Sequence, residues 1–283
     1  MKDGYEIVGC RTCGTLFRAD LPGPQELADI YGDAYFFSAA GERGAHGYLD
    51  YLGEEPNHRA TARRRLRLLE RYRSGGRLLD VGCAAGFFAD EARRRGWQVE
   101  GVELSATMAE LAGSLGVSVH RAAFADAELP DASFDVVTMW DFIEHSTDPL
   151  EDLRHASRLL RPGGIVALST GDAASLVARL TGSRWHLLTP RHHNFFFTTS
   201  SIDVALRHAG LRELAVTHPG GRYTLAYLSH KLRTLADVPV LRSVSARTSA
   251  GRLGGVSIPI NLFDIMTVVA TKARDLRSAP AAV

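Results

Sequence analysis

The chain runs apolar into an acid and then gives up side chains. The stretch LLDVGCAAGFF, Leu78 to Phe88, carries two leucines, an aspartate and a valine, then only small residues before two phenylalanines. A run this small brings backbone close to something else, either a neighbouring element or a bound molecule. An apolar strand, a tight turn and a helical segment after it form a strand–turn–helix unit.

The pattern repeats. From Arg77, RLLDVGC reads as a buried strand and FFADEARRRG as a helix closed by Gly96. WQVEGVEL is a strand, and SATMAELAGSLG a helix capped by Ser105 and ended by Gly116. VSVHRA and FDVVTMW are strands. DPLEDLRHASRLLRPGG is a helix with Pro149 in its first turn and Pro162 and Gly163 beyond its end, and IVALST is the next strand. Strands alternating with helices predict an α/β fold, a parallel sheet with helices on both faces. Ligands of such sheets bind beyond the C-terminal strand ends, where the small-residue turn lies.

Bulk composition sets outer limits. The chain has 283 residues, 45% hydrophobic and 23% charged, with a formal net charge of +1. No global charge draws it to nucleic acid or a membrane. Cys10, Cys13 and Cys83 are an odd set, which argues against a disulfide framework and for a reducing compartment. The opening MKDGYEIVGC has no apolar signal region, and no apolar run is long enough for a bilayer. A cytoplasmic location is expected.

Two cofactor classes use a glycine turn at this place. A dinucleotide site wants G-x-G-x-x-G, and Gly82, Ala84 and Phe87 occupy those positions. Two of the three fail, so a nicotinamide cofactor is disfavoured. The run Asp80-Val81-Gly82-Cys83-Ala84-Ala85-Gly86 resembles D-x-G-x-G-x-G, motif I of the class I S-adenosylmethionine methyltransferases. It departs at Ala84, whose methyl is tolerable if the local φ is negative. Glu103 closes VEGVEL about 20 residues past the turn, the place of a ribose-binding acid; the other reading is a helix-start carboxylate. Asp126 in FADAELP resembles the acid of the family's D-A-x-x-L-P segment, one residue short, and otherwise is a solvated loop acid.

SFDVVTMWDFIEHSTDPLEDLRHASRLLRPGGIVALST resembles the ubiquinone-type O-methyltransferases, and HHNFFFTTSSIDVALRHAGL does so more loosely. The resemblance implies a Rossmann-like, seven-stranded, mostly parallel sheet whose last strand, in NLFDIMTVVATKA, is antiparallel. It implies S-adenosylmethionine as cofactor, held by Asp80, Gly82, Cys83, Ala84, Gly86, Phe87, Glu103, Leu104, Asp126, Ala127 and Trp140.

Methyl transfer to oxygen needs a base near the acceptor. His145, His192 and His193 are the candidates; the alternative is that the latter two cap loops and Phe195 to Phe197 form a core strand. Asp141, Glu144 and His145 have D-x-x-E-H spacing and converge on a helical turn. Similar runs bind a divalent metal in the ubiquinone-type and small-RNA-methylating relatives. Loop hydrogen bonding is the stronger reading here, so no metal is expected. Trp140 and Trp185 either face an apolar substrate or pack.

The expected domains are an N-terminal region over 1–60, the cofactor-binding core over 61–218, and a C-terminal helical insert with the final strand over 219–283. Cys10 and Cys13 resemble half of the zinc ribbon ahead of some sugar- and glycan-cluster methyltransferases. Two thiols do not close a tetrahedral zinc site, so the knuckle reads as degenerate. Leu21 to Tyr51 is expected as a helical lid, with Gly41, Gly44 and Gly47 in a mobile loop. In ATARRRLRLLERYR the leucines pack and the arginines read as a solvated face. The function implied is S-adenosylmethionine-dependent methylation of a small molecule, a sugar or secondary metabolite, at oxygen. The alternatives are an RNA methyltransferase or an inactive cofactor-binding relative. The expected partner is the small-molecule acceptor, without membrane or nucleic acid, and a homodimer through the insert stays open.

Overall fold

Leu78, Leu79 and Val81 are wholly buried, so the strand that opens the glycine turn is buried on both faces. It is the centre of the fold. The computed structural model describes residues 1–23, 26, 27, 30, 51–224 and 257–273. The expected lid over 21–51 and the helical insert over 225–256 lie almost wholly outside the described residues.

The main sheet is built from β3 (Arg77–Val81), β4 (Gln98–Glu103), β5 (Ser118–Arg121), β6 (Phe134–Trp140), β7 (Leu160–Gly171), β9 (Leu211–Thr217) and β12 (Ile265–Lys272). Their spatial order is β5-β4-β3-β6-β7-β12-β9. β12 runs antiparallel to both its neighbours, and the other pairings are parallel. The order reverses between β3 and β6, which opens a crevice above their C-terminal ends.

Helices close both faces. α1 (Glu55–Leu69) and α2 (Phe87–Arg94) bury Ala62, Leu66, Leu69, Ala89 and Ala92 on one. α4 (Pro149–Leu159) and α6 (Thr199–His208) bury Leu153, Ala156, Leu159, Ile202 and Leu206 on the other. α3 (Ala106–Ser114) begins at a Ser105 cap whose hydroxyl accepts the Met108 N–H at 3.2 Å. α5 (Leu176–Thr181) follows β7. No helix among the described residues is long and apolar enough to cross a membrane.

A second sheet joins β1 (Ile7–Gly9), β2 (Leu16–Arg18) and β8 (Phe195–Phe196). The N-terminal hairpin is thereby sewn to the loop that carries His192 and His193. Arg18 is buried at 2% exposure, stacks 4.4 Å from the Tyr5 ring, and donates its backbone N–H to the Asn194 carbonyl.

Three expectations change. β7 starts at Leu160 rather than at IVALST, taking in Pro162 and Gly163, because Leu160 already pairs with Phe134 ahead of a register shift. The start of the C-terminal region is strand: β10 (Gly221–Thr224) pairs with β11 (Ser257–Ile260). The arginines of α1 are not simply solvated. Arg59 contacts Asp90 at 2.7 Å, Arg63 contacts Glu91 at 2.9 Å, and Arg65 contacts Asp141 at 2.8 Å.

Gly86 shows what holds α2 against α3. Its φ is +77°, and a Cβ there would meet Ala112 Cβ at 2.7 Å and Cα at 2.9 Å. Left-handed strain and overpacking act together, so Gly86→Ala is expected to destabilise by about 2–4 kcal/mol. Urea unfolding with an unchanged slope and a lowered midpoint is the expected result.

Candidate active site

The turn after β3 is shaped by one carboxylate. Gly82 has φ +67°, and a Cβ there would sit 2.9 Å from the Phe142 ring. The N–H groups of Gly82 and Cys83 both donate to the Val102 carbonyl. Ala84 has φ +46°, so the negative φ that would make its methyl tolerable is not what the turn adopts. A left-handed non-glycine residue costs about 1–2 kcal/mol. Its N–H donates to Glu103 Oε2 at 2.9 Å, while the Ser105 N–H donates to Oε1 at 2.8 Å. Glu103 thus acts at the start of α3 and also clamps the glycine turn. Burial pushes its carboxyl up, and the backbone N–H donors oppose that shift.

Asp80 lies beneath the turn. Burial pushes its carboxyl up to about 7, against a hydrogen bond from Thr138 Oγ1 at 2.7 Å. Thr138 belongs to FDVVTMW, where it reads only as a β-former.

A cavity of about 1430 Å³ opens above these groups. Its first arm is walled by Asp80, Gly82, Cys83, Ala84, Phe87, Glu103, Leu104 and the run Ala122 to Ala125. Phe87 stacks on Tyr51 and His58 at 5.8 and 6.0 Å, with the Arg59 guanidinium 5.3 Å above it. Three residues expected here lie off the wall: Gly86 packs on Ala112, Ala127 is buried in the core, and Asp126 is exposed. The tight turn over Phe124–Asp126 puts Phe124 and Ala125 on the wall beside Ala122 and Ala123, and Asp126 off it.

The cavity continues over the end of β6. Trp140 is on its wall, edge-on to Phe88 at 5.4 Å and 4.6 Å beneath Arg65. Asp141 has φ +52° and accepts from Arg65 Nη2 and from Ser169 Oγ. Burial opposes its charge, but the Arg65 guanidinium wins and holds the carboxyl below its ordinary range.

Asp141, Glu144 and His145 do not form the expected trio. The atoms that come within 4.8 Å of one another belong to Glu144, His145 and His193. Burial, and then the Asp141 charge, push the Glu144 carboxyl up to about 8. Its Oε2 is buried with no hydrogen-bond partner among the described residues. Burial lowers the His145 imidazole. Its Nδ1 lies 2.8 Å from the His192 carbonyl, and His193 Nδ1 lies 2.9 Å from the Leu187 carbonyl. A carbonyl only accepts, so each Nδ1 carries the proton and each Nε2 the lone pair. Two imidazoles oriented this way beside a carboxyl are a donor set that can hold a divalent transition metal.

The His192 ring is buried off the cavity wall, and its carbonyl, not its imidazole, serves the site. Trp185 is buried and donates Nε1–H to Asp264 Oδ2 at 3.0 Å. Asn194 belongs to no sequence motif. Its Nδ2 donates to the His145 and Ser146 carbonyls at 2.9 and 3.2 Å, and its N–H donates to the Glu144 carbonyl at 2.7 Å. It staples the loop after β6 to the loop before β8. In sequence it follows two histidines that draw the eye first.

Residues 54–216, more than half of the chain, match the methyltransferase domain family. A ubiquinone biosynthesis O-methyltransferase from Vibrio cholerae is 30% identical over 210 residues, covering 69% of this chain and 85% of that protein. A protein of the same name from Chromobacterium violaceum is 34% identical over 184 residues, covering 59% and 78%. Among solved structures, a SAM-dependent methyltransferase from Thermotoga maritima aligns with a TM-score of 0.53 at 24% identity, covering 78% of this chain and 94% of that one. The chain therefore belongs to the class I S-adenosylmethionine-dependent methyltransferases.

Proposed function

We propose that the enzyme methylates a hydroxyl oxygen of a small molecule, a sugar or a secondary metabolite. The observation that carries this reading is Glu103: a buried carboxylate, fixed by two backbone N–H groups, on the wall of a large cavity. Each of its oxygens keeps a second lone pair for a ribose hydroxyl. Asp80, Gly82, Cys83, Ala84, Phe87 and Leu104 shape the rest of that arm, and the missing Cβ at Gly82 lets the Phe142 ring pack against the turn. These residues fit S-adenosylmethionine, which supplies an electrophilic methyl on a sulfonium. The protein binds, orients and excludes water.

His145 and His193 support transfer to oxygen, because both line the cavity and each sets its Nδ1 on a backbone carbonyl. The relatives at 30–34% identity are named as O-methyltransferases. The RNA reading draws less from the α1 arginines than their number suggests, because Arg59, Arg63 and Arg65 are tied to carboxylates, although Arg64, Arg67 and Arg71 also line the cavity. The inactive reading rests on Ala84 and on the half ribbon of Cys10 and Cys13; of these, Ala84 is held in the turn by Glu103.

The Glu144, His145 and His193 cluster favours a second reading, in which a divalent metal aids the acceptor. The two readings separate on chelation. Transfer is expected to survive treatment with EDTA; loss restored by Mg²⁺ or Zn²⁺ would assign these three residues to a metal.

Calorimetric titration with S-adenosylhomocysteine tests the donor site. Micromolar binding is expected, weakened by about 2 kcal/mol in Glu103→Ala through loss of charge-assisted hydrogen bonds. Absence of binding in the wild type would sink the assignment. A scintillation screen of hydroxylated aromatics and sugars then seeks the acceptor.

Glu144 gives a pH prediction. Its carboxyl holds a proton more tightly folded than unfolded, so its contribution to stability is present below the ordinary carboxylate range. That contribution is lost as pH rises to about 8. Glu144→Gln removes this share of the dependence and leaves that of Asp80. Measured by denaturant unfolding, the variant should gain roughly 1–3 kcal/mol on the wild type between about pH 5 and about pH 8.

A further inference from the structure

α1 runs the length of the cavity. Its first turns stand over the donor arm, where the Arg59 guanidinium lies 5.3 Å above the Phe87 ring. Arg65 marks the middle, 4.6 Å over Trp140 at the end of β6. Beyond it Arg67, Leu68 and Arg71 are on the wall, the last just past the end of the helix. The Arg71 N–H donates to the Leu68 carbonyl at 3.2 Å, so the chain is still turning there. Residues four apart share a helix face, which sets Arg67 and Arg71 side by side. At about 1.5 Å per residue, Arg71 stands roughly 9 Å along the axis from Arg65.

Charge is divided along this wall. Its acids come from Glu54, from near the ends of β3 and β4, and from the stretch 141–152. Among the described residues none comes from the far arm, which Thr217, Pro219, Ile260 and Leu262 also line. The arginines divide in the same way. Arg59, Arg63 and Arg65 meet carboxylates, Arg64 donates to the Gly220 carbonyl, and Arg73 donates to the Gly163 carbonyl at 2.6 Å. Glu70, the acid between Arg67 and Arg71 in sequence, turns away to Arg95 at 2.9 Å. Arg67 and Arg71 are exposed, and neither guanidinium has an acid or a carbonyl partner among the described residues. The negative end of the helix dipole suits cations here. It does not account for a stretch of cavity wall that holds cations and no acid.

We propose that the acceptor carries a phosphate group and that Arg67 and Arg71 bind it. This rests on the methyltransferase reading above and narrows its acceptor to a class. Two guanidiniums on Cβ atoms about 5–6 Å apart present two charges and two donor forks to one group. A phosphate monoester brings nearly two negative charges and three acceptor oxygens, enough to satisfy both. A carboxylate brings one charge and two oxygens, which one arginine already satisfies. The hydroxyl that is methylated lies near the end of β6, and the phosphate roughly 9 Å from it. Leu68 and Ile260 add apolar wall to the same arm. The acceptor is therefore a phosphorylated hydroxy compound of sugar size or larger.

Inorganic pyrophosphate is the probe, titrated calorimetrically into the full chain loaded with S-adenosylhomocysteine. One pyrophosphate per chain is expected. Arg67→Gln and Arg71→Gln should each weaken it by about ten-fold, and the double variant should show no saturable binding. Arg207→Gln, which removes a cation of α6 paired with Asp203, should leave it unchanged. S-adenosylhomocysteine should bind all these variants as it binds the wild type. A loaded wild type that takes up no pyrophosphate, or a double variant that binds it equally, overturns the phosphate site and leaves the donor assignment standing. Succinate bound as tightly as pyrophosphate overturns it in favour of a carboxylate. Tighter binding of single-stranded RNA, with a salt slope of several phosphates, overturns it in favour of nucleic acid.

A second measurement needs no variant and locates the anion. Phenylglyoxal modifies free guanidiniums, and peptide mass mapping reads which ones. Arg67 and Arg71 should react ahead of Arg59, Arg63 and Arg65. Pyrophosphate at about ten times its Kd should slow both by about ten-fold. Modification of the two that pyrophosphate does not slow, or protection of other arginines in their place, overturns the assignment.

Discussion

The pair of hydrogen bonds on Glu103 is the constraint from which the rest of the site follows. One carboxylate receives the N–H of Ala84 on the turn after β3 and the N–H of Ser105 at the start of α3. Two neighbouring strand ends are thus tied together across their crevice. The tie carries an alanine at φ +46°, a conformation that costs an ordinary residue about 1–2 kcal/mol. A charge-assisted bond to a buried carboxylate is of the size needed to offset it. The alanine in place of glycine is therefore a strained residue held by its neighbour, and the turn keeps the form that a glycine would give it.

The second arm of the cavity is held by different means. The loop after β6 has no regular partner of its own. Asn194 donates to three of its carbonyls, while β2 pairs with β8 on the far side and Arg18 donates to the Asn194 carbonyl. The N-terminal hairpin supports this loop through β8, which gives the region around Cys10 and Cys13 a structural purpose whether or not its thiols hold anything. α1 does the same from the other side. Arg65 fixes Asp141 and lies over Trp140, and Asp141 in turn raises the cost of ionising Glu144.

What the sequence made legible was local. Strand and helix alternation, the Ser105 cap and the Gly96 and Gly116 stops depend on residues a few positions apart, and each appears where the pattern puts it. The glycine turn and Glu103 were legible because a spacing of about 20 residues is set by one βαβ unit. The rest depended on tertiary neighbours. His193 replaces Asp141 beside Glu144 because Arg65, from a helix before the sheet, draws Asp141 away. Asp126 matched a family segment, yet the shortened loop put Ala122 to Ala125 on the wall instead. The arginines of α1 looked like a solvated face because their partners, Asp90, Glu91 and Asp141, lie in other elements. Asn194 and Asp264 carried no motif at all; their roles exist only once β8 and β12 are in place.

This contrast has a physical cause that bears on substrate. The donor arm is made largely of main chain: turn N–H groups, a glycine with no Cβ, and one acid at a fixed distance. Such a site tolerates change in most side chains. The acceptor arm is made largely of side chains from the segments that follow β6 and β7, positioned by a hairpin and a helix outside the βαβ pattern. Each of those loops can change without disturbing the turn that binds the donor. A family can therefore be read from Asp80 to Glu103, whereas the acceptor must be read from residues such as His145, His193 and Trp140. The size of the cavity, about 1430 Å³, exceeds the usual range for a single small ligand, as two reactants held side by side require.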